Sequence, residues 1–202
     1  MTRLVLVRHG ETVWHAENRY AGTSDIALTA RGLDQAAQLG QWAAGAGLAA
    51  VWSSPLSRAR QTAAVCAVAA RHPLQVDPRL CELDFGEADG LTTREMQERF
   101  PEAVRAFHAD PVGHHLPGGE DPAQAASRFT GCLAEITAAH PDGRVLVVAH
   151  TTAIRLALCA LIGVPLGEYR RLFPFVRNCG ITELQVGAHV SVLQFNTPLE
   201  GA

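Results

Sequence analysis

The sequence predicts a three-layer α/β/α sandwich on a mostly parallel sheet with an antiparallel edge strand. Residues 4–7 and 145–149 are continuous apolar runs rich in β-branched side chains, as expected of strands covered on both faces. Long alanine-rich segments with helical spacing lie between these runs, and an alternation of strand and helix is typical of an α/β fold. Two strand-like segments near the end of the chain would form a hairpin at one edge of the sheet.

The first half of the chain contains two strands and two helices in alternation. The strand over residues 4–7 is followed by a helix over residues 28–46 and a short strand over residues 50–53. A second helix is predicted over residues 56–70. The sequence Ser53-Ser54-Pro55 offers this helix a capping serine and a proline at its first position.

The second half contains one long helix and three strands. The helix is predicted to begin at Asp121, after the turn Pro117-Gly118-Gly119, because apolar residues then recur at spacings of three and four. The strands are predicted over residues 145–149, 181–186 and 190–195.

The stretch from about residue 84 to residue 120 differs from the rest. It is dense in charge, glycine and proline, with only short helical pieces near residues 94–100 and 102–108. We see no repeat, low-complexity tract or linker along the chain. We therefore expect a single domain over residues 1–202, in which residues 84–120 partly cover the site.

Composition excludes several classes of function. The chain has 17 basic and 20 acidic residues and a net charge of −3, so no overall field would hold it on nucleic acid or an anionic membrane. The apolar stretch 145–164 is interrupted by His150 and Arg155, which argues against a membrane span. The five cysteines include no C-x-x-C pair, and the apolar opening is too short for a signal peptide. We expect a soluble, cytoplasmic protein.

Reactive side chains follow the predicted strands. In an open α/β sheet, ligands bind at the carboxyl ends of the strands, where Arg8 and His9 follow the first run and His150 follows the run 145–149. Arg58 lies in the first turn of a helix, whose free amides and dipole favour an anion. Two arginines, two histidines and a helix N-terminus at one rim predict a pocket for a dianionic phosphate.

The sequence around His9 resembles the motif of a known family. Leu6-Val7-Arg8-His9-Gly10-Glu11-Thr12 is similar to the histidine phosphatase superfamily, whose branch 1 includes cofactor-dependent phosphoglycerate mutases. Size and motif spacing resemble phosphatase-type members, such as α-ribazole-phosphate phosphatase and broad-specificity phosphatases. The resemblance spans nearly the whole chain and implies a phosphoglycerate mutase-like fold. Further matches follow in the family's order at residues 20–25, 53–62, 82–87, 117–120 and 147–150.

The resemblance implies a reaction through a phosphohistidine. His9 would attack phosphorus in line, and Arg8, Arg58 and His150 would hold the phosphoryl oxygens. Attack requires an unprotonated ring nitrogen, and neighbouring arginines disfavour the protonated ring. The other ring nitrogen must donate a hydrogen bond, for which we predict a backbone carbonyl near Gly10.

A carboxyl group would complete the chemistry. Glu82 matches the family's acidic position and would protonate the leaving oxygen and then take a proton from water, although Asp84 and Glu87 are nearby alternatives. A loose transition state requires mainly positioning and charge stabilisation, so we expect no metal and no cofactor. The pair His114-His115 has no regular ligand spacing around it and is expected to be solvated or to touch the substrate.

Further substrate contacts are implied at His15, Gly22, Thr23 and Thr151. The family usually has asparagine where His15 follows Trp14, and an imidazole can still donate to a phosphate oxygen. After the second histidine the family commonly has glycine or asparagine, whereas this chain has Thr151, whose backbone amide remains able to contact phosphate.

The function predicted is that of a phosphomonoesterase, which hydrolyses a small phosphorylated metabolite and releases inorganic phosphate. The chain between Glu82 and His150 is shorter than in the mutases it resembles, so the pocket should be less enclosed. The alternatives are a cofactor-dependent phosphoglycerate mutase and, from another class, a non-catalytic protein that binds phosphorylated ligands or acts as a scaffold. An exposed sheet edge would allow two copies to form a homodimer.

Overall fold

The computed structural model describes residues 1–199. Three short 3-10 turns lie at Pro78–Leu80, Gly86–Ala88 and Leu166–Glu168. The strands are β1 Thr2–Arg8, β2 Ala50–Ser53, β3 Leu74–Val76, β4 Arg144–Ala149, β5 Ile181–Val186 and β6 Val190–Thr197. The helices are α1 Val13–Glu17, α2 Ala30–Gly45, α3 Ser57–Ala70, α4 Thr93–Arg99, α5 Pro101–Ala109, α6 Pro122–Ala139, α7 Thr151–Ile162 and α8 Tyr169–Leu172.

The six strands form one sheet in the order β3-β2-β4-β1-β5-β6. Strands β1 to β4 pair in parallel, while β5 is antiparallel to both β1 and β6. The predicted hairpin therefore lies at one edge of a mostly parallel sheet, as expected. Strand β3 and helix α7 were not assigned from the sequence.

Helices cover both faces of the sheet because successive side chains of β1 point in opposite directions. Leu4 and Leu6 enter an apolar core shared with α6 and α7, whereas Val5 and Val7 enter one shared with α2 and α3. All four side chains are at most 1% exposed, and burial of each contributes about 1.5–3 kcal/mol. The three-layer architecture predicted from the continuous apolar runs is confirmed.

The start of α3 differs from the prediction. The helix begins at Ser57, and its N-cap Leu56 has no capping side chain. The hydroxyl of Ser54 lies 2.6 Å from Nε2 of His150, and Oδ1 of Asp25 accepts the Ser57 amide at 2.7 Å. The predicted capping serine and the proline at the first helical position are therefore wrong. The carboxylate of Asp25 accepts the first helical amide, and the hydroxyl of Ser54 contacts His150 and accepts only the amide of Leu56, before the helix.

The stretch 84–120 folds over one end of the molecule. Its two predicted helical pieces correspond to α4 and α5. Met96 and Phe107 from these helices are fully buried in a third apolar cluster, which also includes Leu156 of α7. This cluster fixes the segment against the helix that follows β4, beside the carboxyl ends of the strands.

All five cysteines are free thiols. Within residues 1–199, no helix combines the length and the apolar character that crossing a membrane would require.

Candidate active site

Parallel pairing brings the two predicted site histidines together. Arg8, the last residue of β1, is in register with Ala149, the last residue of β4, so that His9 and His150 leave the sheet side by side. Their ring centroids are 5.1 Å apart, and the side chains are 4% and 0% exposed. Two strands distant in sequence thus form one end of the site.

The ring of His9 is held in a single tautomer. Its Nδ1 donates to the carbonyl oxygen of Gly10 at 2.7 Å, which leaves Nε2 unprotonated and facing the site. Burial lowers the pKa of His9 well below its usual 6.5, and the positive charges of Arg58 and Arg8 lower it further. The predicted acceptor near Gly10 is confirmed, and the ring is neutral at neutral pH.

Close packing explains why the residue after His9 is glycine. A Cβ atom on Gly10 would lie 2.4 Å from the carbonyl oxygen of Gly32 in α2, a distance that real Cβ atoms essentially never show. Thr62 of α3 also accepts the Gly10 amide through its hydroxyl at 3.1 Å. The segment that orients His9 is therefore anchored to both helices on this face.

Of the two predicted arginines, Arg58 is buried and Arg8 is half-buried, and both donate to backbone carbonyls. Arg58 is fully buried and donates through Nη1 to Ser24 and through Nη2 to Gly22, both at 2.7 Å. Arg8 donates through Nη1 to the carbonyl of Val176 at 2.9 Å. Burial lowers the pKa of Arg8 to about 10, so its guanidinium stays charged at neutral pH.

Several buried donors at this site have no partner within residues 1–199. They are Nε of Arg8, Nε of Arg58 and Nδ1 of His150. Buried polar groups in folded proteins are almost always hydrogen-bonded, so this group of unpaired nitrogens indicates a place for acceptor oxygens. A hydroxyl of Ser54 that donates to Nε2 of His150 leaves the proton on Nδ1, where it can be donated to such an oxygen.

Glu82 lies at the N-terminus of α7. Its Oε1 accepts the amides of Leu83 and Ala153 at 2.8 Å, and its Oε2 accepts the amide of Thr152 at 2.9 Å. These three bonds fix the position and orientation of the carboxyl group at the start of α7. A carboxylate oxygen can accept about two bonds. Oε2 therefore retains one free acceptor position toward the site.

His15 occupies the position where the family usually has asparagine. Its Nδ1 accepts the amide of Thr12 at 2.9 Å, so a neutral ring must carry its proton on Nε2. Burial and the charge of Arg8 lower the pKa of His15 to about 4. Nε2 also contacts Nη2 of Arg8. Two donors therefore lie side by side at the cavity, where both can donate to one phosphoryl oxygen.

A cavity of about 290 Å³ opens over these groups. Of the predicted residues, Arg8, His9, His15, Glu82 and Thr151 line it, whereas Arg58 and His150 are fully buried. The lining does not include Gly22, Thr23, His114 or His115, and it does not include the alternative carboxylates Asp84 and Glu87.

Sequence reasoning missed the outer part of the cavity. This part is lined by Arg19, Tyr20, Arg155, Tyr169 and Arg170. From the sequence, Arg155 was noted only as a charged residue that interrupts the apolar stretch 145–164. Its position four residues after Thr151 on a helix would have placed both on one face, but α7 was not assigned there.

Side chains that commonly bind metals are not clustered in the described part of the chain. Within residues 1–199, no group of three or more histidine, cysteine, aspartate or glutamate side chains is placed so that it could hold a metal ion.

The chain is thus an α/β/α sandwich with arginines and neutral histidines at the carboxyl ends of its parallel strands, the edge at which proteins of this class bind their ligands. A family model described as the histidine phosphatase superfamily (branch 1) matches residues 4–196. The chain therefore belongs to branch 1 of the histidine phosphatase superfamily, which confirms the family predicted from the motifs.

Curated relatives of the chain include both phosphatases and mutases. It is 36% identical to phosphoserine phosphatase 1 of Hydrogenobacter thermophilus over 169 residues, which cover 84% of this chain and 80% of that protein. It is 35% identical to the probable phosphoglycerate mutase GpmB of Citrobacter koseri over 184 residues, which cover 91% and 85%.

Solved structures agree over nearly the full length. Bacillus stearothermophilus YhfR has a TM-score of 0.92 at 28% identity, with 98% of each chain covered. The α-ribazole phosphatase of Shigella flexneri has a TM-score of 0.87 at 25% identity, with 96% of each chain covered. The predicted phosphoglycerate mutase-like fold is thereby confirmed.

Proposed function

We propose that this protein is a phosphomonoesterase that hydrolyses a small phosphorylated metabolite through a phosphohistidine on His9. The observation that carries the proposal is the state of this ring. Nδ1 is bonded to Gly10, the pKa is far below its usual value, and Nε2 is free among arginine donors. A neutral imidazole in a cationic pocket is suited to attack the phosphorus of a bound dianion.

In the first step, Nε2 of His9 forms a bond to phosphorus while the bond from phosphorus to the ester oxygen breaks. The unpaired donors of Arg8, Arg58 and His150 would bind the three equatorial oxygens, on which charge is spread in a loose transition state. Nε2–H of His15 would add one more donor beside Arg8. Each such charge-assisted bond contributes about 1.5–3 kcal/mol.

Glu82 would manage the proton. Its carboxyl group donates a proton to the leaving oxygen in the first step, and the alcohol departs. In the second step, Oε2 accepts a proton from the water that attacks phosphorus, and inorganic phosphate is released from His9. This transfer restores the carboxyl group for the next turnover. The three amide bonds to the carboxylate make it an especially well-positioned base for the second step.

The remaining predicted contacts are part of the same proposal. Thr151 lines the cavity at the start of α7, whereas Gly22 would act through Arg58, whose Nη2 it accepts. Thr23 is exposed outside the cavity lining, and its contact with substrate stays a prediction. We also propose that residues 84–120 partly cover the site within a single domain, since Phe85 lines the cavity.

The reaction is placed in the cytoplasm and requires no metal or cofactor under this proposal. Free thiols at all five cysteines suit a reducing compartment. A homodimer stays a prediction. The edge strand β6, where Val192 and Leu193 are 44% and 46% exposed, is the place for such pairing.

The phosphoglycerate mutase alternative rests on the relatives that carry that name. Supply of 3-phosphoglycerate with catalytic bisphosphoglycerate distinguishes the two activities. A phosphatase releases inorganic phosphate and forms little 2-phosphoglycerate, so appreciable isomer formation would favour the mutase. A non-catalytic binding protein would release nothing.

The phosphohistidine is tested with an aryl phosphate and the substitution His9→Ala. We expect the native chain to hydrolyse the ester and the variant to lose at least about a thousandfold in rate, because the covalent route is removed. Alkaline quench with labelled substrate should place the label on the peptide that contains His9. His114→Ala, at an exposed histidine outside the cavity, is the matched control and should retain full activity. Label on any other peptide would contradict the scheme.

A further inference from the structure

The outer part of the cavity contains two arginines that phosphoryl transfer leaves unused. Arg155 projects from α7 and Arg170 from α8, and both line the same cavity as His9. Among the described residues, neither makes an ion pair with a carboxylate. Arg19, the third arginine of this part, is neutralised by Glu17 at 2.6 Å and Glu95 at 2.8 Å. The charges of the other two are therefore available to a ligand.

In the described part of the chain, Arg155 lacks a hydrogen-bond partner for its Nε as well as an ion-pair partner. Its Nε is buried and has no hydrogen-bond partner within residues 1–199. Its guanidinium lies 4.9 Å from the ring centroid of Tyr169, which fixes the plane of the group through a cation–π contact. Burial lowers the pKa of Arg155, and the charge of Arg170 acts in the same direction. Such repulsion between two cations is relieved when an anion binds between them.

Arg170 is held in a defined orientation. Its Nε donates to the hydroxyl of Tyr169 at 2.9 Å, and its guanidinium lies 4.5 Å from the ring of Phe107 and 5.5 Å from that of Tyr169. Its terminal nitrogens have no hydrogen-bond partner in the described part of the chain. Both arginines thus stack on Tyr169, and a fork that is already ordered loses little entropy when it binds.

The position of Arg155 limits the length of the substrate. Thr151 begins α7 at the phosphoryl end of the cavity, and Arg155 follows one helical turn later on the same face. One turn of helix advances about 5.4 Å. The substrate group that binds Arg155 is therefore joined to the scissile phosphate ester by only a short carbon chain.

Resting on the proposed function, we infer that the alcohol released by this enzyme is a short hydroxy acid whose carboxylate is bound by Arg155 and Arg170. The planar guanidinium fork matches a carboxylate through two parallel hydrogen bonds. A neutral alcohol of the same length would leave two cations facing each other without a counter-charge. The outer part of the cavity is in this sense a second anion subsite.

The matched substrates are 3-phosphoglycerate and glycerol 3-phosphate, which differ by a carboxylate in place of a hydroxymethyl group. We expect the native enzyme to prefer the acid by about 10- to 100-fold in kcat/KM, as one or two charge-assisted hydrogen bonds imply. Arg155→Met and Arg170→Met should each reduce this ratio by about tenfold or more, and Arg155→Lys should reduce it less. Arg171→Met, at an exposed arginine beside Arg170 that pairs with Glu168, is the control and should leave the ratio unchanged.

The outcomes separate this inference from the proposed function. A ratio near one in the native enzyme, or an unchanged ratio in both methionine variants, overturns the subsite while aryl phosphate hydrolysis through His9 stands. If kcat/KM is higher for a bisphosphorylated propanediol than for 3-phosphoglycerate, the group bound at the second subsite is a phosphate, and the assignment of a carboxylate is overturned. A variant that fails to fold loses activity toward both esters. In that case the ratio of kcat/KM values measured for the native enzyme alone tests the subsite. Absence of any turnover or phosphohistidine contradicts the proposed function itself.

Discussion

At the scale of single residues, the site combines charged arginines with neutral histidines. The guanidinium groups of Arg8 and Arg58 carry the positive charge, and burial beside them lowers the pKa values of His9 and His150, so the imidazoles remain neutral. Because a protonated ring cannot attack phosphorus, the arginines that would bind the substrate in the proposed reaction would also keep His9 in its reactive, neutral form. This coupling explains why the arginines lie so close to the histidines.

Replacement of Glu82 by glutamine tests its part in proton transfer. The amide oxygen of glutamine can still accept the amides of Leu83 and Ala153, but the side chain cannot carry the proton, so the loss of rate should depend on the leaving group. We expect kcat for an alkyl phosphate to fall by about a hundredfold or more, and kcat for an aryl phosphate to fall much less, because an aryl oxide needs little protonation. Steady-state rates with the two esters provide the measurement.

The exposed Glu87 supplies a control for this substitution. Glu87→Gln, five residues away and outside the cavity lining, should leave both rates unchanged. Equal losses for the alkyl and aryl esters in Glu82→Gln would show that the residue acts only as a partner for the start of α7.

At the scale of elements, the sequence predicted what depends on local pattern. The apolar runs gave β1 and β4 because their side chains are buried on both faces. Ser54 was misassigned because its hydroxyl has a tertiary partner, His150, that is 96 positions away in the chain. Arg155 was missed as a cavity residue because α7 was not assigned, and its contact with the Tyr169 ring of α8 forms only when the two helices pack together. Contacts between distant elements have no local signal.

Gly86 in the stretch 84–120 illustrates such a contact. Its φ of +56° lies in the left-handed region, and a Cβ there would be 2.3 Å from the carbonyl oxygen of Pro117. We expect Gly86→Ala to lower the free energy of unfolding by at least about 1–2 kcal/mol, since the left-handed conformation alone costs that much. Activity should fall too, because this turn follows Phe85, which lines the cavity. Urea unfolding and aryl phosphate turnover measure the two effects.

The matched control is a glycine with open space around it. Gly45 ends α2 and would place its Cβ within 4 Å of nothing, so Gly45→Ala should be neutral or slightly stabilising. If Gly86→Ala were as stable as the native chain, the packing of the two turns against each other would not hold the segment.

At the scale of the whole molecule, net charge and local charge are separate. The chain carries a net charge of −3, yet the cavity is lined by four arginines. Local cations of this kind attract a small anion over roughly a Debye length, about 8 Å at physiological salt, without drawing the protein to nucleic acid. The negative balance elsewhere on the surface is thus compatible with selective binding of a phosphate ester.

Keeping buried histidines neutral should lower the free energy of unfolding as the pH falls below neutral. His9 and His150 have pKa values well below 6.5 in the folded chain, and that of His15 is about 4. As pH falls below about 6.5, the unfolded chain takes up protons that the folded chain does not. The stability is therefore full above about pH 6.5 and decreases as the pH falls toward the folded pKa values.

Urea unfolding at a series of pH values from about 8 to about 4.5 measures this loss. His9 and His150 are almost fully buried, and each should contribute up to about 1.4 kcal/mol per pH unit to the slope. His150→Asn should flatten the slope by about one proton, whereas His114→Asn at an exposed position should leave it unchanged. A free energy of unfolding that stays level across this range would mean that the folded chain can accept the same protons. The neutral ring required for attack by His9 would then lack its physical basis.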